Sequence, residues 1–232
     1  MDAIILAGGF GTRLRSVVSD VPKPMAPVAN QPFLSYLLEY LKEYDINKVI
    51  LCTGYKHQVI EEYFSTSYKQ INIRYSVEEE PLGTGGAIKK ALSMIDSDHA
   101  IVLNGDTLFN INLSEFIDLH YKENADVTIA LKFLTDFDRY GSVVLEENKI
   151  IGFEEKSYKS SGYINGGVYI INKQLLELYT LSSTFSFEKE ILESKVDNLN
   201  IVGYKSSSYF IDIGIPEDYE KAQTEVKELF DE

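Results

Sequence analysis

Apolar, β-branched runs alternate with amphipathic stretches through the first half of the chain. Short runs rich in Ile, Val and Leu at Ala3–Leu6, Lys48–Thr53, Ile71–Val77, Ala100–Leu103 and Val127–Lys132 predict strands. Between them, Phe33–Tyr44, Gln58–Phe64, Ala87–Ile95 and Ser114–Tyr121 predict helices. In the first of these, Leu34, Leu37, Leu38 and Leu41 have the spacing of one buried stripe. Strand–helix–strand alternation implies parallel strands joined by crossover helices, and the fold class is α/β. The second half is more β-rich. Ser142–Leu145 and Ile150–Glu154, joined by EENK, predict a hairpin, followed by the polar stretch SYKSSGY and a strand at Val168–Ile171. Leu199–Gly203 and Tyr209–Ile213 predict further strands, and Glu217–Phe230 a closing helix. With no linker, repeat or low-complexity block, the expectation is a single domain over 1–232, a first half of about 1–125 fused to a more β-rich half of about 126–232.

Composition narrows the partners. Hydrophobic residues make up 44% of the chain and aromatics 12%, enough for a sizeable core. The formal net charge of −14 disfavours nucleic acid and anionic membranes, so an anionic ligand must be held by a local cluster of cations and amides. The single cysteine, Cys52, rules out an intrachain disulfide and argues against a structural zinc site. No basic leader or long apolar window is seen, and the expectation is a cytoplasmic protein.

The chemistry begins where the first strand ends, in LAGGFGTRL, with PKP ten residues on. Glycines after a parallel strand let backbone N–H groups approach phosphate oxygens. In open α/β sheets that loop lies at the strand's carboxyl end, where ligands bind. A Gly-rich turn with no ligand fits the same residues. Two known phosphate loops do not: GxGxxG needs a glycine where Leu14 stands, and Walker A needs Lys-Ser/Thr after its last glycine. Arg13 suits bidentate contact with phosphate. Pro22 and Pro24 stiffen the segment that presents Lys23, although a solvated surface lysine is also consistent.

LAGGFGTRL…PKPM resembles the signature of the sugar-1-phosphate nucleotidyltransferases, which make NDP-sugars. The resemblance implies a Rossmann-like three-layer sandwich around a mixed, mostly parallel sheet. It implies that Leu6, Ala7, Gly8, Gly9, Gly11, Thr12 and Arg13 hold the nucleotide, and that Arg13 and Lys23 are the catalytic cations. In LNGDTLF, Asp106 closes an apolar strand and could ligate Mg²⁺, or serve as a helix cap or turn residue. Asp212, in YFIDIGIPEDY, is an acid inside an apolar strand and needs a partner such as a divalent ion. The family match makes Asp106 and Asp212 the metal pair, with Asp106 also beside the sugar phosphate. Asp218 reads as a first-turn helix acid.

EEEPLGTGGAIKKAL resembles the family's base-recognition segment, with Gly85 and Gly86 allowing close approach to a flat base. Guanine presents two adjacent donors that one carboxylate can accept, whereas a carboxylate would repel the carbonyls of uracil. Glu80, directly before the loop, therefore favours GTP, unless Glu78–Glu80 is only a solvated acidic run. GFEEKS resembles the family's G-F-x-E-K-P, with Ser157 in place of proline. It implies Glu155 on sugar hydroxyls and Lys156 on the sugar's phosphate. INGGVYI implies Asn165 on sugar hydroxyls, and RYGSV places Gly141 close to the sugar; hairpin and turn chemistry would explain these residues too.

Within the family, the length, VPKPMAP, EPLGTGGAI and the ending after one helix resemble the short guanylyltransferases of D-glycero-α-D-manno-heptose 1-phosphate. That implies GTP and a sugar 1-phosphate as partners, Mg²⁺ as cofactor and a homodimer as the candidate assembly. The alternatives are N-acetylmuramate 1-phosphate uridylyl transfer and mannose 1-phosphate guanylyl transfer. A nicotinamide oxidoreductase is disfavoured by Leu14, and a non-catalytic sensor by Lys23 with two metal acids.

Overall fold

The computed structural model describes residues 1–9, 14, 18 and 21–230. Strand β1 (Asp2–Leu6) is followed by a small ribbon, β2 (Pro27–Val28) and β3 (Gln31–Pro32), then α1 (Phe33–Glu43) and β4 (Lys48–Thr53). Next come α2 (His57–Phe64), β5 (Ser67–Tyr68), β6 (Ile71–Val77), α3 (Gly83–Leu92) and β7 (His99–Asn104). The second half holds β8 (Thr107–Phe109), α4 (Leu113–Lys122), β9 (Val127–Phe137), β10 (Ser142–Glu146) and β11 (Lys149–Glu154). It ends with β12 (Lys159–Asn172), β13 (Ile201–Ser206), β14 (Phe210–Asp212) and α5 (Pro216–Phe230).

One ten-stranded sheet runs through both halves in the order β10-β11-β13-β9-β12-β7-β1-β4-β6-β5. Strands β7, β1, β4 and β6 are parallel, as crossover helices require. Strand β12 lies antiparallel between β7 and β9, and β10, β11 and β13 add further antiparallel pairs. The sheet is mixed as expected; its parallel character belongs to the first half and to the β9–β13 pair.

Alternation along the central strands explains the three layers. Ile5, Leu51 and Leu103 face a core built with α1, α2, α4 and α5, while Ile4, Cys52 and Val102 face one built with α3 and the 175–199 segment. The leucine stripe of α1 is fully buried, each side chain contributing about 2 kcal/mol. Two differences from the sequence reading have physical causes. Strands β9 and β12 run past the core into exposed ladder where Lys159, Ser160 and Ser161 are polar, so SYKSSGY gives no apolar signal. The 172–198 connection holds short helical turns at Leu175–Leu178, Glu188–Glu193 and Val196–Asn198, too brief for a periodic pattern.

His120 lies in the interior with Nδ1 2.8 Å from the Thr128 hydroxyl and its ring edge-on to those of His99 and Tyr121. Burial, then repulsion from His99, lowers its pKa to about 4. Between an ordinary value near ~6.5 and about 4, the unfolded chain binds a proton that the folded chain refuses. Stability is therefore full above the upper value and is lost as pH falls through that window, by about 2 kcal/mol at pH 5. Urea unfolding at pH 7.5 and pH 5 checks this: the loss should shrink in His120→Leu, and an equal loss in both proteins would refute it.

Candidate active site

The site opens at the carboxyl ends of β1, β4, β6 and β7. Gly105 follows β7 and donates its N–H to the Leu6 carbonyl at 2.9 Å. A Cβ at this position would lie 2.6 Å from that oxygen, so only glycine allows the two strand ends to close. Gly8 packs beside Gly54 and the Glu78 carboxylate, whereas the space beside Gly9 is open. Together Leu6, Gly8, Gly9, Glu78, Thr84 and Asp106 wall a cavity of about 370 Å³. Ala7 is buried just beneath, its N–H donated to the Cys52 carbonyl. Gly11, Thr12 and Arg13 lie outside the described residues.

Of the three glutamates 78–80, the one that lines this cavity is Glu78, the first residue past β6 and half-buried; Glu80 is exposed and is not part of the lining. Glu78 accepts the Leu82 N–H at 2.9 Å; burial raises its pKa, partly offset by that bond and by Lys90. Gly85 and Gly86 also differ from expectation. Cβ atoms there would fall 2.1 Å from the Phe185 ring and 2.4 Å from the Ser183 carbonyl. These glycines let α3 dock against the 183–187 segment, and it is Gly83 and Thr84 that reach the cavity. The helix starts at Gly83, four residues before the periodic pattern reveals it.

Lys23 heads a 3-10 turn directly after Pro22, with its ammonium between two carboxylates. It is hydrogen-bonded to Asp106 Oδ2 and 3.6 Å from Asp212 Oδ1. The aspartates are brought together by the β8–β14 ribbon, in which Asp212 pairs with Thr107, and by the Ile213 N–H bonding the Asp106 carbonyl. Burial, then the Asp106 charge, raises the Asp212 pKa, against the opposing pull of Lys23 and the Gly214 N–H. A second cavity of about 600 Å³ starts at Asp212 and is walled by Arg139, Tyr140, Gly141, Lys156 and Asn165. Arg139 was not singled out in RYGSV; it pairs with Asp218 at 2.8 Å in the first turn of α5. Lys156 is exposed, and Glu155 lines an adjoining cavity of about 430 Å³ rather than this one. Asn165 is partly committed to the backbone: its Oδ1 accepts the Gly167 N–H and its Nδ2 donates to the Tyr169 hydroxyl, bracing the β12 bulge.

Among the described residues no group of three or more His, Cys, Asp or Glu side chains is arranged to hold a metal. Two carboxylates converging on one cation do fit a Mg²⁺-like ion, which takes one or two protein carboxylates and completes its shell with substrate phosphates and water.

A glycine loop on a parallel strand end, a lysine between two acids and a second polar cavity define a nucleotide-handling transferase. The chain belongs to the nucleotidyl transferase family, whose match spans residues 2–228. Nucleotidyltransferases of this family generally use a divalent metal. It is 52% identical over 227 residues to the D-glycero-α-D-manno-heptose 1-phosphate guanylyltransferase of Aneurinibacillus thermoaerophilus, covering 98% of this chain and 99% of that one. It is 36% identical to the mannose-1-phosphate guanylyltransferase of Mycobacterium tuberculosis, covering 97% of this chain and 64% of the relative. The crystal structure of HddC from Yersinia pseudotuberculosis complexed with GMP-PN superposes with a TM-score of 0.86 at 38% identity, over 97% and 99% of the two chains. An inositol-1-phosphate CTP transferase from T. maritima, 20% identical with a TM-score of 0.80 over 98% and 96% of the chains, shares the fold.

Gly→Ala inside a helix ordinarily stabilises by about 1 kcal/mol. At Gly85 the sign should reverse, because the methyl overlaps the buried Phe185 ring. Gly85→Ala is expected to lose about 1–3 kcal/mol in denaturant unfolding; a stabilised variant would show that α3 docks otherwise.

Proposed function

We propose that this chain is a D-glycero-α-D-manno-heptose 1-phosphate guanylyltransferase, joining GTP and the sugar phosphate into an NDP-sugar with release of pyrophosphate. The observation that carries the reading is the position of Lys23. It spans from Asp106, on the glycine-loop cavity, to Asp212, on the second cavity, so one ammonium stands where two phosphorylated ligands would meet. The identity to the Aneurinibacillus enzyme over nearly the whole of both chains supports the choice of sugar and base. No helix among the described residues is long and apolar enough to cross a membrane. A cytoplasmic location fits the NTP substrate.

The nucleophile is an oxygen of the sugar's phosphate, whose second pKa near ~6 leaves it mostly ionised at neutral pH. No general base is required. The task is to seat two polyanions and stabilise the charge that builds at the α-phosphorus. Lys23 serves that centre, Arg139 and Lys156 hold the sugar phosphate in the second cavity, and Arg13 with the amides of Gly8, Gly9, Gly11 and Thr12 cradles the triphosphate. Mg²⁺ held by Asp106 and Asp212 would neutralise phosphate charge. Glu78 accepts the paired N1–H and N2–H donors of guanine; its burial and its place on the cavity wall support it over Glu80.

A pyrophosphate-release assay crossing GTP, UTP, CTP and dTTP with heptose, mannose and N-acetylmuramate 1-phosphates tests the assignment. GTP with the heptose should be preferred, and selectivity for UTP would overturn it. The GTP preference should fall roughly tenfold or more in Glu78→Gln; its survival there, with loss in Glu80→Gln, would return base reading to Glu80. Lys23→Ala should lower kcat by about 10²–10³ in protein that circular dichroism shows to be folded. Near wild-type turnover would remove Lys23 from the chemistry.

A further inference from the structure

Glu188 borders three cavities. It lines the glycine-loop cavity with Glu78 and Thr84, the second cavity with Asn165 and Lys156, and the adjoining one that contains Glu155. It begins the π-helical turn Glu188–Glu193 and is half-buried. Its two oxygens are unequally served. Oε2 accepts the Thr84 hydroxyl at 2.6 Å and the Ser186 hydroxyl at 2.9 Å. Oε1 has only the Tyr169 hydroxyl, at a long 3.5 Å. The Thr84 hydroxyl accepts the Phe187 N–H at 2.9 Å, so its single proton is committed to Glu188. Oε2 is thus fixed by the protein, while Oε1 keeps lone pairs for a further donor.

An ionised carboxylate accepts hydrogen bonds and repels phosphate. In a site built to seat two polyanions, a glutamate on the cavity wall is compatible only with the parts of the ligands that donate. Those parts are the N–H groups of the base, which the reading above gives to Glu78, and hydroxyl groups. Glu188 adjoins Tyr169, whose hydroxyl in turn accepts from Asn165 on the wall of the second cavity. Resting on the function proposed above, we infer that Glu188 Oε1 accepts hydroxyl groups of the sugar 1-phosphate, and that Thr84, on the nucleotide-side helix, is the positioning residue that aims it. The bond from Thr84 then makes the sugar's hydroxyl acceptor depend on correct docking of α3. The two halves of the site are mechanically joined through one carboxylate.

Steady-state kinetics with both substrates varied, on wild type, Glu188→Gln and Thr84→Val, test this. Glu188→Gln should raise KM for the sugar 1-phosphate roughly tenfold or more, leaving KM for GTP within about twofold. Thr84→Val, which keeps the side chain's shape, should shift the sugar KM in the same direction by a smaller factor, and Thr84→Ser should restore it. GTP binding measured by calorimetry should be unchanged in Glu188→Gln, which separates lost recognition from lost folding. An unchanged sugar KM would overturn the inference, as would a rise confined to GTP, which would put Glu188 on the ribose. If wild type turned over no sugar 1-phosphate at all, the proposed function itself would fall, and this inference with it. Turnover by wild type with an indifferent Glu188→Gln would sink the inference alone.

Discussion

The arrangement of the site depends on one ammonium between two acids. Asp106 follows β7 and Asp212 closes β14; bringing two carboxylates together in a partly buried position is unfavourable unless a cation lies between them. Lys23 supplies that charge in this structure. Its segment has little freedom, since prolines flank it and the Met25 and Ala26 N–H groups bond the Pro22 and Lys23 carbonyls. Burial, then the Asp106 charge, raises the Asp212 pKa against the opposing pull of Lys23. A site left short of positive charge in a chain of net charge −14 has reason to favour a divalent ion arriving with its phosphates.

Sheet topology puts the two cavities side by side. The parallel strands β7, β1, β4 and β6 end on one edge and bring Gly8, Gly54 and Glu78 together there. Strand β12, inserted antiparallel next to β7, carries the second cavity up to that edge. At Gly166–Gly167 its register shifts, and a Cβ on Gly167, at φ +73, would strike the Asn104 side chain 2.6 Å away. The bulge lets β12 pass the end of β7 and turns Asn165 and Tyr169 toward the shared wall.

Much of this was legible in the sequence because local signals and tertiary roles coincide. The parallel strands are apolar on both faces, α1 carries an unbroken leucine stripe, and the glycine loop and PKP are specific in residue type and spacing. Legibility failed where a role depends on register or on a distant partner. Glu78, Glu79 and Glu80 are indistinguishable as letters; that Glu78 enters the cavity follows from β6 ending at Val77. Gly85 and Gly86 read as room for a ligand, but the neighbour they admit is Phe185 and Ser183, a hundred residues on. Glu188 sits in a segment with no periodicity at all, and nothing near it in sequence marks it.

Two cations of the site are already engaged: Lys23 with Asp106 and Asp212, Arg139 with Asp218. Such pairs resolve the conflict between an acidic surface and a phosphate-binding interior. They hold the basic groups in place at modest net cost, and a phosphate bearing more charge than a carboxylate can compete for them. Electrostatic preorganisation then needs no buried, unpaired cation, and no histidine or serine nucleophile. The same logic divides the carboxylates by their partners. Asp106 and Asp212 answer to cations, whereas Glu78 and Glu188 border the cavities where a base and sugar hydroxyls would bring donors to an acid.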